Sequence, residues 1–184
     1  MTQIKINYEF EVLLLLLKKE MHGRELAKEL KTSLTRVQST LNQLRNINVL
    51  DFKVEGKNHI YFIKRNLVSR SFILNAENYK LVKLLDKHPE LEPIFEDIIK
   101  KSNYNLILLF GSYAKGNQKK ESDIDIYIET TDPKIKDEVQ KIYDLISVKI
   151  GKFNPEDLLI KEIIKNHIII KGGEEYYETL KFFN

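Results

Sequence analysis

Two short motifs, ten residues apart, restrict this chain more than anything else in it. The first is the apolar run Leu106-Ile107-Leu108-Leu109-Phe110, which stops abruptly at Gly111-Ser112. A short apolar run bounded by Asn105 and a glycine reads as a buried strand. The second is Asp123-Ile124-Asp125-Ile126-Tyr127-Ile128. Successive side chains of a strand point to opposite faces, so Ile124, Ile126 and Ile128 share the core face and Asp123 and Asp125 share the other. Two carboxylates so placed can grip a divalent cation. Magnesium suits them, because it prefers hard oxygen ligands and keeps positions for water and substrate phosphates. The glycine lets backbone approach a phosphate closely, and the Ser112 hydroxyl and nearby N–H groups can donate to its oxygens. Alone, the first motif is an ordinary turn and the second a solvated strand edge. Together and in this order they describe a metal–phosphate site.

The segments around this pair alternate between helix and strand. Asn66 to Phe72 is a polar joint; Asn75 to Leu85 and Glu92 to Lys101 read as helices. Beyond the carboxylates, Pro133 to about Ile146 is a helix and Ser147 to Phe153 a strand. Pro155 to Lys165 is again helical, His167 to Lys171 is a short strand, and Glu174 to Phe183 is a last helix.

The first third has a different pattern. Tyr8 to Glu20 is a helix, apolar nearly all round, broken at His22-Gly23. Arg24 to Leu30 is a second, and Ser33 is a fitting N-cap for a third from Leu34 to about Asn46. Val37, Leu41 and Leu44 form its buried stripe, leaving Thr35, Arg36, Gln38, Ser39, Asn42 and Arg45 on the other face. Those side chains can hydrogen-bond base edges and phosphates. Leu50, Phe52 and Val54 alternate in a strand, residues 55–58 turn, and His59 to Lys64 returns, with Lys57 at the tip. This order resembles the winged-helix regulators of bacteria and archaea, which present the third helix to the DNA major groove. DNA is therefore an expected partner. A protein-binding or merely dimerising winged helix stays open, and a homodimer is the default expectation.

Phe110-Gly111-Ser112-Tyr113-Ala114-Lys115-Gly116, then Ser122-Asp123-Ile124-Asp125-Ile126, is similar to the signature of the minimal nucleotidyltransferases of the polymerase-beta-like superfamily. The resemblance implies transfer of a nucleotidyl group, usually AMP from ATP, with Mg2+. It assigns Gly111, Ser112 and Lys115 to the nucleotide, and Asp123 and Asp125 to metal and catalysis. Lys115 stands where many members have arginine, which keeps the charge but loses the bidentate fork. The family also implies a third carboxylate on a following strand, and here the alternation puts Lys149 in that place. A catalytically inactive transferase domain, serving a transcription regulator as nucleotide sensor or protein-binding module, is therefore the alternative. Members encoded beside HEPN-type toxins act as antitoxins, so such a toxin is an implied partner.

The expected class is thus α+β: a winged helix at 1–66, a helical linker at 67–101 and a small mixed-sheet transferase domain at 102–184. Charge divides the same way. Residues 1–70 carry 13 Lys or Arg against 7 Asp or Glu, and residues 71–184 carry 17 against 20. No cysteine is present, which excludes disulfides, zinc ribbons and thiol nucleophiles and fits a cytoplasmic location. The longest apolar stretch, Val12 to Leu17, is too short to span a bilayer, so no membrane is expected.

Overall fold

The computed structural model describes residues 4–101 and 105–183. The expected domain limits at 1, 102 and 184 lie outside them. The chain divides into two compact units, one running to Tyr79 and the other from Lys80 to Phe182.

The first unit opens with helices α1 (Tyr8–Leu16), α2 (Gly23–Glu29) and α3 (Leu34–Asn46). Each starts where a side chain accepts from an otherwise unpaired N–H: Asn7 from Phe10, His22 from Glu25, and Ser33 from Arg36. α1 is shorter than the apolar pattern predicts. It stops at Leu16 rather than at Glu20, and strand β1 (Met21–His22) follows where the sequence predicts only a break, because Met21 pairs with Tyr61 and is buried there. β2 (Leu50–Glu55) and β3 (Asn58–Ile63) form the hairpin, with Gly56 in the left-handed region at its tip. The three strands run in the order β1-β3-β2. Val12, Leu13 and Leu16 meet Leu26, Val37, Leu41, Leu44 and Leu50 in one core. This is a winged helix.

Residues 66–72, expected as a joint, are largely helical. α4 runs from Leu67 to Lys87, and the Asn66 side chain accepts the Ser69 N–H at 2.9 Å. The polar residues that suggest a break in the sequence cap the helix start instead. The buried Ser69 hydroxyl donates to the Val49 carbonyl.

The second unit takes the end of α4, then α5 (Leu91–Lys101), β4 (Ile107–Phe110), α6 (Gly111–Lys115) and β5 (Ile124–Glu129). α7 (Pro133–Gln140), β6 (Ile146–Gly151), α8 (Leu158–Lys165), β7 (Ile168–Lys171) and α9 (Gly173–Thr179) follow. Its sheet has the order β6-β5-β4-β7 and is mixed: β5 and β6 are parallel, and β4 is antiparallel to β5 and β7. α7 is shorter than expected because Ile146 begins β6 and is buried in the sheet rather than in a helix. One sheet face, with Ile107, Leu109, Ile124, Ile126, Ile128 and Val148, packs against Leu91, Phe95, Ile98 and Val139. The other face buries Tyr127, whose ring meets Phe153, which in turn meets Tyr176. No helix among the described residues is long and apolar enough to cross a membrane.

Candidate active site

The chemistry-bearing residues collect where β4 ends. Phe110 pairs with Asp125 across the antiparallel β4–β5 ladder, so the next residue, Gly111, begins α6 against that carboxylate. Gly111 has a φ of 68°. A Cβ added to it would stand 2.9 Å from Asp125 Cγ and closer still to Oδ2. Only glycine permits both the left-handed turn and this approach. The sequence places Gly111 and Asp125 fourteen positions apart; the hairpin presses them together.

Strand alternation works as the sequence predicts. Ile124, Ile126 and Ile128 enter the core, and Asp125 and Tyr127 take the opposite face. Asp123 is exposed just before β5. Burial raises the Asp125 carboxyl above the ordinary carboxylate range, and the nearby Asp123 charge pushes the same way. A hydrogen bond donated by the Ser147 hydroxyl, then the Lys149 and Lys115 ammonium groups, oppose that rise. A half-buried carboxylate disfavoured as a lone anion is stabilised by any cation placed beside it. The donor set fits magnesium, which needs only one or two carboxylates when phosphates and water complete its shell.

Ser112 sits in the first turn of α6, half-buried, and Lys115 ends that helix, exposed. Gly116 closes it in the left-handed conformation with a φ of 71°. The expected nucleotide residues Gly111, Ser112 and Lys115 therefore occupy one turn beside the expected metal residues.

In the parallel β5–β6 pair Ser147 lies opposite Asp125, and Lys149 lies opposite Tyr127, one pleat further on. Lys149 is exposed on the same face. The sequence gives no register between strands, so it could not show that Ser147 rather than Lys149 abuts Asp125. Among the described residues no group of three His, Cys, Asp or Glu could hold a metal ion.

A second feature escapes sequence reasoning. His88 Nε2 lies 2.7 Å from the Gln118 amide nitrogen, and its Nδ1 lies 3.1 Å from Glu90 Oε1. A neutral ring with its proton on Nδ1 satisfies both, donating to Glu90 and accepting from Gln118. Tyr113 of α6 meets the same ring edge-on at 5.4 Å. His88 thus ties down the segment between α6 and β5 that carries the lysines toward Asp123.

In the winged helix, Thr35, Arg36, Gln38, Ser39, Asn42 and Arg45 are all exposed on α3, and Lys57 is exposed at the hairpin tip. The Arg36 guanidinium lies 4.9 Å from the Tyr8 ring centre and that of Arg45 lies 4.4 Å from Phe52. Lys5, Tyr8, Ser33, Thr35, Arg36 and Ser39 border a shallow open concavity on this side.

Residues 80–176 match the polymerase beta nucleotidyltransferase family. The chain belongs to that family. One relative of this nucleotidyltransferase, a candidate protein adenylyltransferase of Methanocaldococcus jannaschii, is 46% identical over 70 residues, covering 37% of this chain and 56% of that protein. The chain therefore spans little more than half of that relative's length. A second candidate protein adenylyltransferase of the same organism is 31% identical over 100 residues, covering 52% of this chain and 90% of that protein. Solved structures overlay only in part. The repressor AdcR of Streptococcus pyogenes, 15% identical, covers 55% of this chain and 71% of its own with a TM-score of 0.37. A mutant of the toxin–antitoxin pair MntA–HpeT, 26% identical, covers 57% and 82% with a TM-score of 0.35. Overlays this partial do not bear on function.

Proposed function

We propose that this nucleotidyltransferase is a magnesium- and ATP-dependent enzyme that moves AMP onto a hydroxyl of a protein acceptor, coupled to DNA binding by its winged helix. The observation that carries the reading is the packing of Asp125 on Gly111, beside Asp123 and the first turn of α6. A phosphate at that turn and a cation on the two carboxylates would be neighbours. In the reaction an acceptor oxygen bonds to the α-phosphorus while its bond to pyrophosphate breaks, and the hydroxyl proton leaves to solvent. Magnesium, when bound, would polarise the α-phosphorus and neutralise the departing pyrophosphate. The chain's own residues orient the triphosphate: Gly111 by close backbone approach, Ser112 by its hydroxyl, and Lys115 as a point charge. The protein-acceptor reading is supported by the names of the archaeal relatives. The resemblance to antitoxin-type minimal nucleotidyltransferases makes a HEPN-type toxin the acceptor to try first.

Calorimetric titration of MgATP tests this without knowledge of the acceptor. Binding should require magnesium and fall at least roughly tenfold in the Asp123→Asn, Asp125→Asn double variant. Wild type that binds no MgATP would sink the reading.

A second reading has its own observation. Ser147 and Lys149 bring no carboxylate to the β6 side of the site, so the domain could sense a nucleotide for a DNA-bound regulator without transferring it. Transfer of labelled AMP to any partner would rule it out.

DNA binding makes a separate prediction. The exposed arginines of α3 and the basic balance of residues 1–70 suit a duplex, and a homodimer would suit paired half-sites. Arg36→Ala with Arg45→Ala should weaken operator binding and lower the slope of log affinity against log salt by about 2, near 1 per lost phosphate contact. An unchanged slope would place both arginines away from DNA.

A further inference from the structure

The β6 side of the site carries a hydroxyl and an ammonium, and neither Ser147 nor Lys149 offers the further carboxylate that a second dication would need. Ser147 lies in register with Asp125, and its hydroxyl favours that carboxylate as an anion. A neutral hydroxyl supplies no negative charge to a dication. Lys149 follows on the same face, exposed, diagonal to Asp125 across the parallel pair. Strands about 4.8 Å apart that rise about 3.3 Å per residue put such diagonal neighbours about 8 Å apart, within reach of a lysine. A two-ion site needs cations about 3.5–4 Å apart. An ammonium at this edge repels a second dication there and offers its charge instead. Lysine is also an effective phosphate ligand as a point charge. Lys115 does the same from the end of α6, and Asp125 feels both ammonium groups.

We propose that this site takes one divalent cation, on Asp123 and Asp125, and that Lys149 gives the triphosphate the positive charge a second cation would bring. This rests on the nucleotidyltransferase reading above and narrows it.

The experiment uses the full chain with Mn2+ and a non-hydrolysable ATP analogue, read by electron paramagnetic resonance and calorimetry. Wild type should hold one Mn2+ per bound analogue, with the spectrum of an isolated ion. Lys149→Ala should weaken analogue binding roughly tenfold at unchanged ion count, and Lys149→Arg should restore most of it. Ser147→Asp combined with Lys149→Ala should admit a second ion and give a spin-coupled pair. A coupled pair in wild type would overturn the proposal, as would unchanged affinity in Lys149→Ala or a double variant that still holds one ion. Absence of any Mn2+-dependent analogue binding by wild type would instead bring down the nucleotidyltransferase reading itself, so the two failures are distinct.

Discussion

Gly111→Ala should abolish magnesium-dependent ATP binding and destabilise the second unit by roughly 1–3 kcal/mol from backbone strain, with the steric conflict added to that. The strain arises because Gly111 holds a φ of 68°, where a Cβ meets the adjacent backbone. The steric conflict is specific to this site. The new methyl would coincide with the Asp125 carboxylate, 2.9 Å from its Cγ. Either Asp125 rotates away from Gly111 or β4 and β5 part at the Phe110–Asp125 pair, and neither outcome leaves the two motifs joined. Gly116 supplies the control. It has nearly the same backbone, with a φ of 71°, yet nothing lies within 4 Å of an added Cβ. Gly116→Ala should therefore cost only about 1–2 kcal/mol of conformational strain and keep the nucleotide site. Chemical denaturation and MgATP calorimetry on both variants separate the two effects. Wild-type affinity in Gly111→Ala would mean that Asp125 does not need its place on the glycine.

What the chain discloses before folding follows from which interactions are local. The Ile124–Ile128 alternation, the Ser33 cap and the stripe Val37, Leu41, Leu44 are written at periods of two and 3.6, and each appears in the structure, while Asp123 falls just before the strand it is expected to open. Both halves of the candidate site were legible for the same reason. The places that differ are decided by distant partners. The break expected at His22 is part of a strand because its neighbour Met21 pairs with Tyr61, forty positions away in the chain. Ile146 leaves α7 because β5 draws it into a strand. The relation of Ser147 and Lys149 to Asp125 is a matter of register between parallel strands, which no single-strand pattern encodes. The His88–Gln118 contact spans thirty positions and has no periodic signal at all. The polar segment from Asn66 misled because Asn and Ser suit a cap as well as a break.

Asp125→Asn should have opposite effects on function and on stability. Loss of a carboxylate that would hold the cation removes several kcal/mol of charge stabilisation, so AMP transfer should fall by at least about a hundredfold. The metal-free fold should nevertheless become more stable at neutral pH. Burial, and then Asp123, raise the Asp125 carboxyl in the folded protein, so between the unfolded and folded pKa values the native state holds a proton that the unfolded chain has released. In that interval the native state binds more protons, and stability falls as pH rises through it. Above it the whole penalty of the buried anion is present; below it the penalty disappears. Asparagine is neutral at every pH and can still accept the Ser147 hydrogen bond. The variant should therefore melt above wild type at pH 7 without metal, and the gap should close as the pH drops through the carboxylate range. Magnesium with ATP should reverse the order, because ligand at a hundred times its Kd adds about 2.7 kcal/mol to a fold that binds it and nothing to one that does not. Thermal melts of both proteins across pH, with and without MgATP, give all three comparisons. A metal-free variant that melts below wild type at pH 7 would show that Ser147, Lys149 and Lys115 outweigh burial, and that Asp125 is a structural anion rather than a carboxylate kept for a cation.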